Sequence, residues 1–384
     1  MSYHADVPVP DPIYLDHHAT TPCDPRVVEA MLPFFTEIFG NAASITSLHG
    51  RKASLAVEDA RIAIARFLGV LPPEIYFTAG ATESNNIALN LLREGDHLVT
   101  SVTEHKSIVV PAERLRQRGV EVTFLEPDRE GRIQPDALRE ALRATTRMVS
   151  IEWANGEIGT IQPIAELAAL CRERNILIHS DATQAVGKIE LSFAAVDLAS
   201  FSAHKIYGPK GIGGLYVKRG IRIEPVIAGG GQERNVRSGT VNVPGAIGLA
   251  AAIRLRAAEM PDEALRLTQL REELAEGLLS EIDGISVNGP RGVRLPGNLN
   301  VSFERIDAES LILAMKNFSL SSGSACSSGE RGPSRVLKAI GLGDEAAMSS
   351  IRFGLGKSNS REHVGMLIED LKRAVRRLRE ISAA

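Results

Sequence analysis

At 384 residues, 44% of them hydrophobic and 24% charged, with a mean hydropathy near zero, the chain is long enough for two globular domains with sizeable cores. A formal charge of −3 and an aromatic content of 4% argue against a nucleic-acid surface, and no apolar run approaches the ~20 residues that cross a bilayer. Three scattered cysteines, Cys23, Cys171 and Cys326, form no CxxC pair and suggest neither a zinc site nor a thioredoxin-type motif; with no basic-then-apolar leader, a reduced, cytoplasmic protein is expected.

Asp24-Pro25 caps and opens a first helix carrying Val27, Val28, Met31, Leu32 and Phe35, and a second helix covers roughly Lys52 to Phe67. Glu74 to Phe77 reads as a short strand, followed by the turn Thr78-Ala79-Gly80 and a helix from Thr82 to Leu92. Apolar strands follow at His97–Thr100, Val120–Leu125, Met148–Trp153, Ile176–Ser180 and Leu198–Ser202, with helices near 107–118, 135–143 and 163–174 between the first four. This alternation predicts a doubly wound α/β domain with a mainly parallel sheet, whose ligands bind beyond the carboxyl ends of the strands. After Met260 the texture changes to a charged helix (Glu263 to Ile282), strand candidates Ile285–Val287 and Asn298–Phe303, a Ser/Gly-rich run and a basic helix near Arg361–Ile381. The expected division is a large α/β domain over 13–260 and a smaller α+β domain built from 1–12 and 261–384.

The polar residues at the strand ends carry the chemistry. Gly80-Ala81-Thr82 opens a helix, and its free N–H groups and the Thr82 hydroxyl suit a phosphate, although Thr82 could equally be an ordinary cap. Asp181 ends a strand, where a carboxylate can pair with a protonated ring nitrogen or simply close an Asx turn. Ser202, His204 and Lys205 project from one strand terminus beside a glycine-rich stretch, and a desolvated lysine there can form a Schiff base. Cys326 lies in Ser321-Ser322-Gly323-Ser324-Ala325-Cys326-Ser327-Ser328-Gly329, a composition that cannot pack a thiol into an apolar core and predicts a solvated loop. Gly356-Lys357-Ser358 lacks the earlier glycine of a P-loop, and Cys171 reads as core.

Taken in order, Tyr14-Leu15-Asp16-His17-His18-Ala19-Thr20-Thr21-Pro22, Phe77-Thr78-Ala79-Gly80-Ala81-Thr82-Glu83-Ser84, Thr103-Glu104-His105, Asp181-Ala182-Thr183-Gln184, Ser200-Phe201-Ser202-Ala203-His204-Lys205, Gly229-Gly230-Gly231-Gln232-Glu233-Arg234, Arg237-Ser238-Gly239-Thr240, the Cys326 run and Ser350-Ile351-Arg352-Phe353 resemble the cysteine desulfurases of the NifS/IscS type. These are pyridoxal 5'-phosphate enzymes of the class V aminotransferase group, with the type I fold of such transferases. The resemblance implies that Lys205 holds the cofactor as a Schiff base and moves protons. It implies that His105 stacks on the cofactor ring, that Asp181 pairs with its nitrogen and that Gln184 donates to its hydroxyl oxygen. Ala81, Thr82, Ser202 and His204 would hold the phosphate, with Thr240 supplied by the other subunit of a homodimer with shared active sites. Arg352 would clamp the substrate carboxylate.

By the same resemblance Cys326 would attack the sulfur of L-cysteine and leave as a persulfide bound for a protein acceptor, an iron–sulfur scaffold or a sulfur relay, with His105 as the candidate acceptor of the thiol proton. Two departures stand out. Asn155-Gly156 replaces the usual pair of asparagines, so the contact to cofactor or substrate is missing or falls to Asn155, and the chain ends at Ala384, short of the tail that housekeeping members use to dock a scaffold. A selenocysteine lyase, or another class V lyase or aminotransferase, would share Lys205 and Asp181 but needs no cysteine in such a run. A non-catalytic subunit of a sulfur-transfer complex is the third reading, supported only by Gly156.

Overall fold

The computed structural model describes residues 11–322 and 332–382. The strands, in chain order, are β1 (Ile13–Tyr14), β2 (Ile75–Thr78), β3 (His97–Ser101), β4 (Glu121–Leu125), β5 (Thr146–Ser150), β6 (Leu177–Asp181), β7 (Leu198–Ser202), β8 (Gly213–Val217), β9 (Ile285–Asn288), β10 (Asn298–Phe303), β11 (Phe318–Ser319) and β12 (Ser350–Gly354). A seven-stranded sheet runs in the order β2-β8-β7-β6-β5-β3-β4. Neighbours from β7 to β4 pair in parallel, and only β8 runs against the rest. Helices such as Lys106–Arg116 and Ile164–Glu173 provide the crossovers, so the apolar strands are buried on both faces.

The alternation expected from the sequence is present, and β8 is the strand it missed. Glycine at the start of a strand reads as loop, but here it permits close approach. A Cβ on Gly213 would lie 2.4 Å from the Phe201 carbonyl oxygen, and one on Gly214 would strike the Phe201 ring at 2.3 Å. The first helix is also shorter than expected. It ends at Met31, and Pro33 opens a separate turn over Pro33–Thr36, leaving Val28, Leu32 and Phe35 exposed instead of packed.

Sequence reading found only the second half of a 39-residue helix, Val243–Glu281, because Pro261 and two glycines look like breakers. Its amino half (Val243, Ala246, Leu249, Ile253) packs into the core under the large sheet. Its carboxyl half (Leu267, Leu270, Leu274, Leu278) packs with Leu15, the three-stranded sheet β12-β10-β9 and the final helix Arg361–Ser382. One rigid rod therefore serves two cores, and the short parallel pair β1–β11 ties the amino end of the chain to the second. Among the described residues no helix is long and apolar enough to cross a membrane.

Candidate active site

The carboxyl ends of β2, β3, β6 and β7 converge with β12. At β2 the chain turns through Gly80, whose φ of 151° suits glycine, and enters the helix Ala81–Leu89. The Ala81 N–H donates to Ser202 Oγ at 2.7 Å, which locks the turn to the end of β7, while Thr82 is exposed at its mouth. Just past Ser202, a short 3-10 turn places His204 and Lys205. Lys205 Nζ donates to the carbonyls of His18 and Ala19, both at 2.6 Å. His204 Nδ1 sits 3.1 Å from Thr20 Oγ1, and burial, with the Lys205 charge second, pulls its pKa down to about 4.

Asp181 ends β6, 7% exposed. Its Oδ1 accepts from the Thr183 N–H at 3.0 Å and its Oδ2 from Asn85 Nδ2 at 2.7 Å. Asn85 was not legible as a site residue, yet it is fully buried, four residues after Ala81 on the sheet-facing side of that helix. The same Nδ2 also reaches Ser107 Oγ (2.8 Å), which in turn lies 2.7 Å from His105 Nδ1. Because Ser107 Oγ accepts from Asn85, its own proton goes to His105 Nδ1, which accepts the Ser107 N–H as well (3.1 Å).

That chain of bonds bears on the role expected of His105. Desolvation, opposed by the Asp181 charge and helped by those of Lys205 and Arg335, lowers the His105 pKa, and with Nδ1 accepting from Ser107 the proton of the neutral ring resides on Nε2. In this arrangement His105 presents an N–H donor to the site; the nitrogen that could take a thiol proton is already occupied. His105 lies at the open mouth of the site, where the residue as a whole is exposed although its ring is partly desolvated by its neighbours.

Asn155 is held by its own loop. Its Nδ2 donates to the Thr103 carbonyl and Glu152 Oε1, and its Oδ1 accepts from the Glu157 and Ile158 N–H groups. Every polar position of this buried amide is taken up in shaping its loop. Gln184 is turned toward His18, donating to its carbonyl (2.9 Å) and accepting from Lys188 Nζ (2.6 Å), which leaves one N–H uncommitted. A Cβ at Gly156 would lie 2.5 Å from that amide, so the glycine makes room for Gln184. Arg352, on β12, donates from Nη2 to Asp16 Oδ1 (2.7 Å) and from Nη1 to the Gly156 carbonyl (3.3 Å), while its buried Nε has no partner.

Thr240 is exposed. Cys326 lies outside the described residues, but the chain on either side of 323–331 is tied to the site. The Arg352 N–H donates to the Ser321 carbonyl (2.8 Å), and Arg335 Nη2 to the carbonyl of Glu104, the neighbour of His105 (2.5 Å). The other two cysteines are unsuited to chemistry: burial pushes the Cys171 thiol up to about 12, and burial followed by Asp24 raises that of Cys23. Among the described residues no group of His, Cys, Asp or Glu is placed to hold a metal ion.

The class V aminotransferase profile matches residues 13–367. The chain belongs to the class V aminotransferase family. Within it, the chain is 50% identical over 380 residues to the cysteine desulfurase IscS of Anaeromyxobacter dehalogenans, covering 97% of this chain and 94% of the relative. A solved NifS-like protein superposes with a TM-score of 0.88 at 36% identity, over 95% of this chain and all of that one. A structure of SspA in complex with cysteine gives 0.80 at 35%, over 89% and 98%.

Desolvation shifts several ionisable groups of this chain, and the directions of those shifts predict a pH response. His17, His18, His97, His105, His179 and His204 all have lowered pKa values, with burial the largest cause in each. Glu104, Glu152 and Glu157 are raised by burial, and Glu104 also by the Glu152 charge. As pH falls through the histidines' ordinary range, unfolding lets these histidines take up protons, and the three carboxyls, which release theirs on unfolding, are the smaller opposing group. The unfolded state therefore binds more protons, and stability falls as pH falls. A thermal melt series from pH 7.5 to 5 should show a steadily dropping Tm; a flat profile would contradict the burial assigned to these histidines.

Proposed function

We infer that this chain is an L-cysteine desulfurase that uses pyridoxal 5'-phosphate to convert L-cysteine to L-alanine, placing the sulfur on Cys326 as a persulfide. The observation that carries the reading is the convergence of Lys205, Asp181, the Gly80–Thr82 turn and Arg352, with the chain on both sides of the Cys326 stretch tied to the same site. The cofactor suits what is there. The turn offers N–H groups and the hydroxyls of Thr82 and Ser202 to a phosphate, and Asp181 is a fixed, buried acceptor for a ring N–H. When bound, it supplies an electron sink adjacent to the substrate Cα.

The protein's own groups do the rest. Arg352, held by Asp16, meets the substrate carboxylate. Lys205 carries the proton removed from Cα, and neutral His105 offers its Nε2 proton. The Cys326 thiolate attacks the substrate sulfur: an S–S bond forms, the Cβ–S bond breaks, its electron pair stays on Cβ, and a proton arriving there completes the methyl group of alanine. The persulfide sulfur then goes to a protein thiol, as on an iron–sulfur scaffold or sulfur relay. A selenocysteine lyase is less well served, because it has no use for a thiol tethered between Ser321 and Arg335.

The reading includes a cytoplasmic homodimer. Val28, Leu32, Phe35, Phe39, Ile45, Leu48 and Leu55 are between 41% and 67% exposed, an apolar surface too large to leave in water. A second copy would cover it and place its Thr240 at this site.

The deciding measurement is stoichiometry: with L-cysteine and a reductant, the holoenzyme should release alanine and sulfide one to one, and alanine without sulfide would refute the reading. Asn85→Ala should lower kcat/KM about tenfold, the scale of a lost hydrogen bond to a charged group, and shift the acidic limb of the pH–rate profile, since Asp181 and Ser107 lose their shared donor. An unchanged profile would reduce Asn85 to packing.

A further inference from the structure

Three of the six non-glycine residues with positive φ among those described are consecutive: Glu233 (45°), Arg234 (54°) and Asn235 (65°). Left-handed backbone at successive side-chain-bearing residues persists only where surrounding contacts hold it. Here the contacts are specific. Glu233 and Arg61, both nearly inaccessible, form a two-pronged pair: Arg61 Nη2 to Oε1 at 2.8 Å and Nη1 to Oε2 at 2.9 Å. Both also cap the outer edge of β2, an edge strand. Glu233 Oε2 accepts from the Phe77 N–H (2.7 Å), and the Ile75 carbonyl accepts from Arg61 Nη1 (2.6 Å) and Arg234 Nη2 (2.7 Å). Four residues on, Arg237 Nε donates to Glu83 Oε1 (3.0 Å) on the helix that follows the phosphate turn.

The segment is thus bolted to β2 and then released. A cleft of about 300 Å³ separates the turn at Phe77–Ala79 from Gly239, Val241 and Asn242, whose neighbour Thr240 does not line it. Thr240 is exposed, on the same short stretch that leads into the helix Val243–Glu281.

We propose that the Arg61–Glu233 pair is a positioning device acting across the dimer: it fixes the left-handed turn that aims Thr240 at the cofactor phosphate of the second copy. The proposal rests on the homodimer reading above. It assigns Glu233 to the partner's site and not to the turn it touches.

The test uses doubly tagged, purified mixed dimers in which a single Lys205 remains, with cofactor affinity read from visible absorbance on titration with pyridoxal 5'-phosphate. In the first, one chain carries both Lys205→Ala and Glu233→Gln and the other is wild type. The only competent lysine then receives Thr240 from the altered chain, and affinity should fall about tenfold, the size expected when a supporting group is lost. In the second, Glu233→Gln sits on the chain that keeps Lys205 while its partner carries Lys205→Ala, and affinity should match a control dimer without Glu233→Gln. Weakening in the second dimer, or in neither, overturns the proposal. Thr240→Ala in the first arrangement separates the two levels: if it has no effect, the shared-site reading fails, whereas an effect of Thr240→Ala without one of Glu233→Gln sinks only the role of the pair. Should Glu233→Gln fail to assemble, Arg61→Lys, which keeps the charge but loses the second prong, is expected to give the same pattern.

Discussion

Lys205→Ala should eliminate the visible absorbance of the holoenzyme and cut alanine formation by at least about a thousandfold, the range for a group that both attaches covalently and moves protons. The ammonium is held by the His18 and Ala19 carbonyls, just past the Ser202 end of β7, whose neighbour β6 ends in Asp181. Lys188 is buried nearby, and burial followed by the charges of Lys205 and Arg352 holds its pKa well below the usual value, so it too is a plausible nucleophile by chemistry alone. Its Nζ is engaged by Gln184 Oε1, however, and Lys188→Ala should leave the absorbance in place. If the two variants exchanged phenotypes, the assignment would pass to Lys188. The cost to folding should be small by comparison. Two carbonyls lose a donor, worth about 1–3 kcal/mol each if water does not replace it, and the altered protein should still melt cooperatively.

How much of this was legible depended on whether a residue's neighbours lie close in sequence. Strand-end chemistry is local: Gly80-Ala81-Thr82, Asp181 and the Ser202–Lys205 turn each sit where an apolar run stops, and the run itself signals the strand. The roles of Asn155 and His105 depend on tertiary contacts. The Asn155 amide is used up by Thr103 and Glu152 on one side and its own loop on the other, and nothing in Asn155-Gly156 says so. His105 looks like a base until Ser107 and Asn85 fix which nitrogen carries the proton. The long helix shows the converse failure. A local rule, that Pro261 and glycine break helices, was overridden because packing against two cores holds Val243–Glu281 together. Val28, Leu32 and Phe35 illustrate a third kind: their apolar spacing is real, but in the fold these side chains are exposed.

Cys326→Ser should abolish sulfide release from L-cysteine, by about a thousandfold or more given the weak nucleophilicity of a hydroxyl, while leaving cofactor absorbance and the binding of L-cysteine intact. The two remaining thiols give the control. Cys171 is completely buried on the helix Ile164–Glu173, with its pKa near 12, and cannot supply a thiolate at neutral pH. Cys23 is partly accessible, but desolvation and the Asp24 charge keep it protonated. Cys23→Ser and Cys171→Ser should therefore retain activity. Reach supports the assignment as well. Cys326 is five residues from Ser321, whose carbonyl is bound by the backbone of Arg352, so the chain spans at most about 17 Å from the substrate clamp. From the other side it is nine residues from Arg335, which is fixed beside His105 through the Glu104 carbonyl. If Cys326→Ser still released sulfide at the wild-type rate, the sulfur would be leaving without a persulfide, and the lyase reading would replace the desulfurase one.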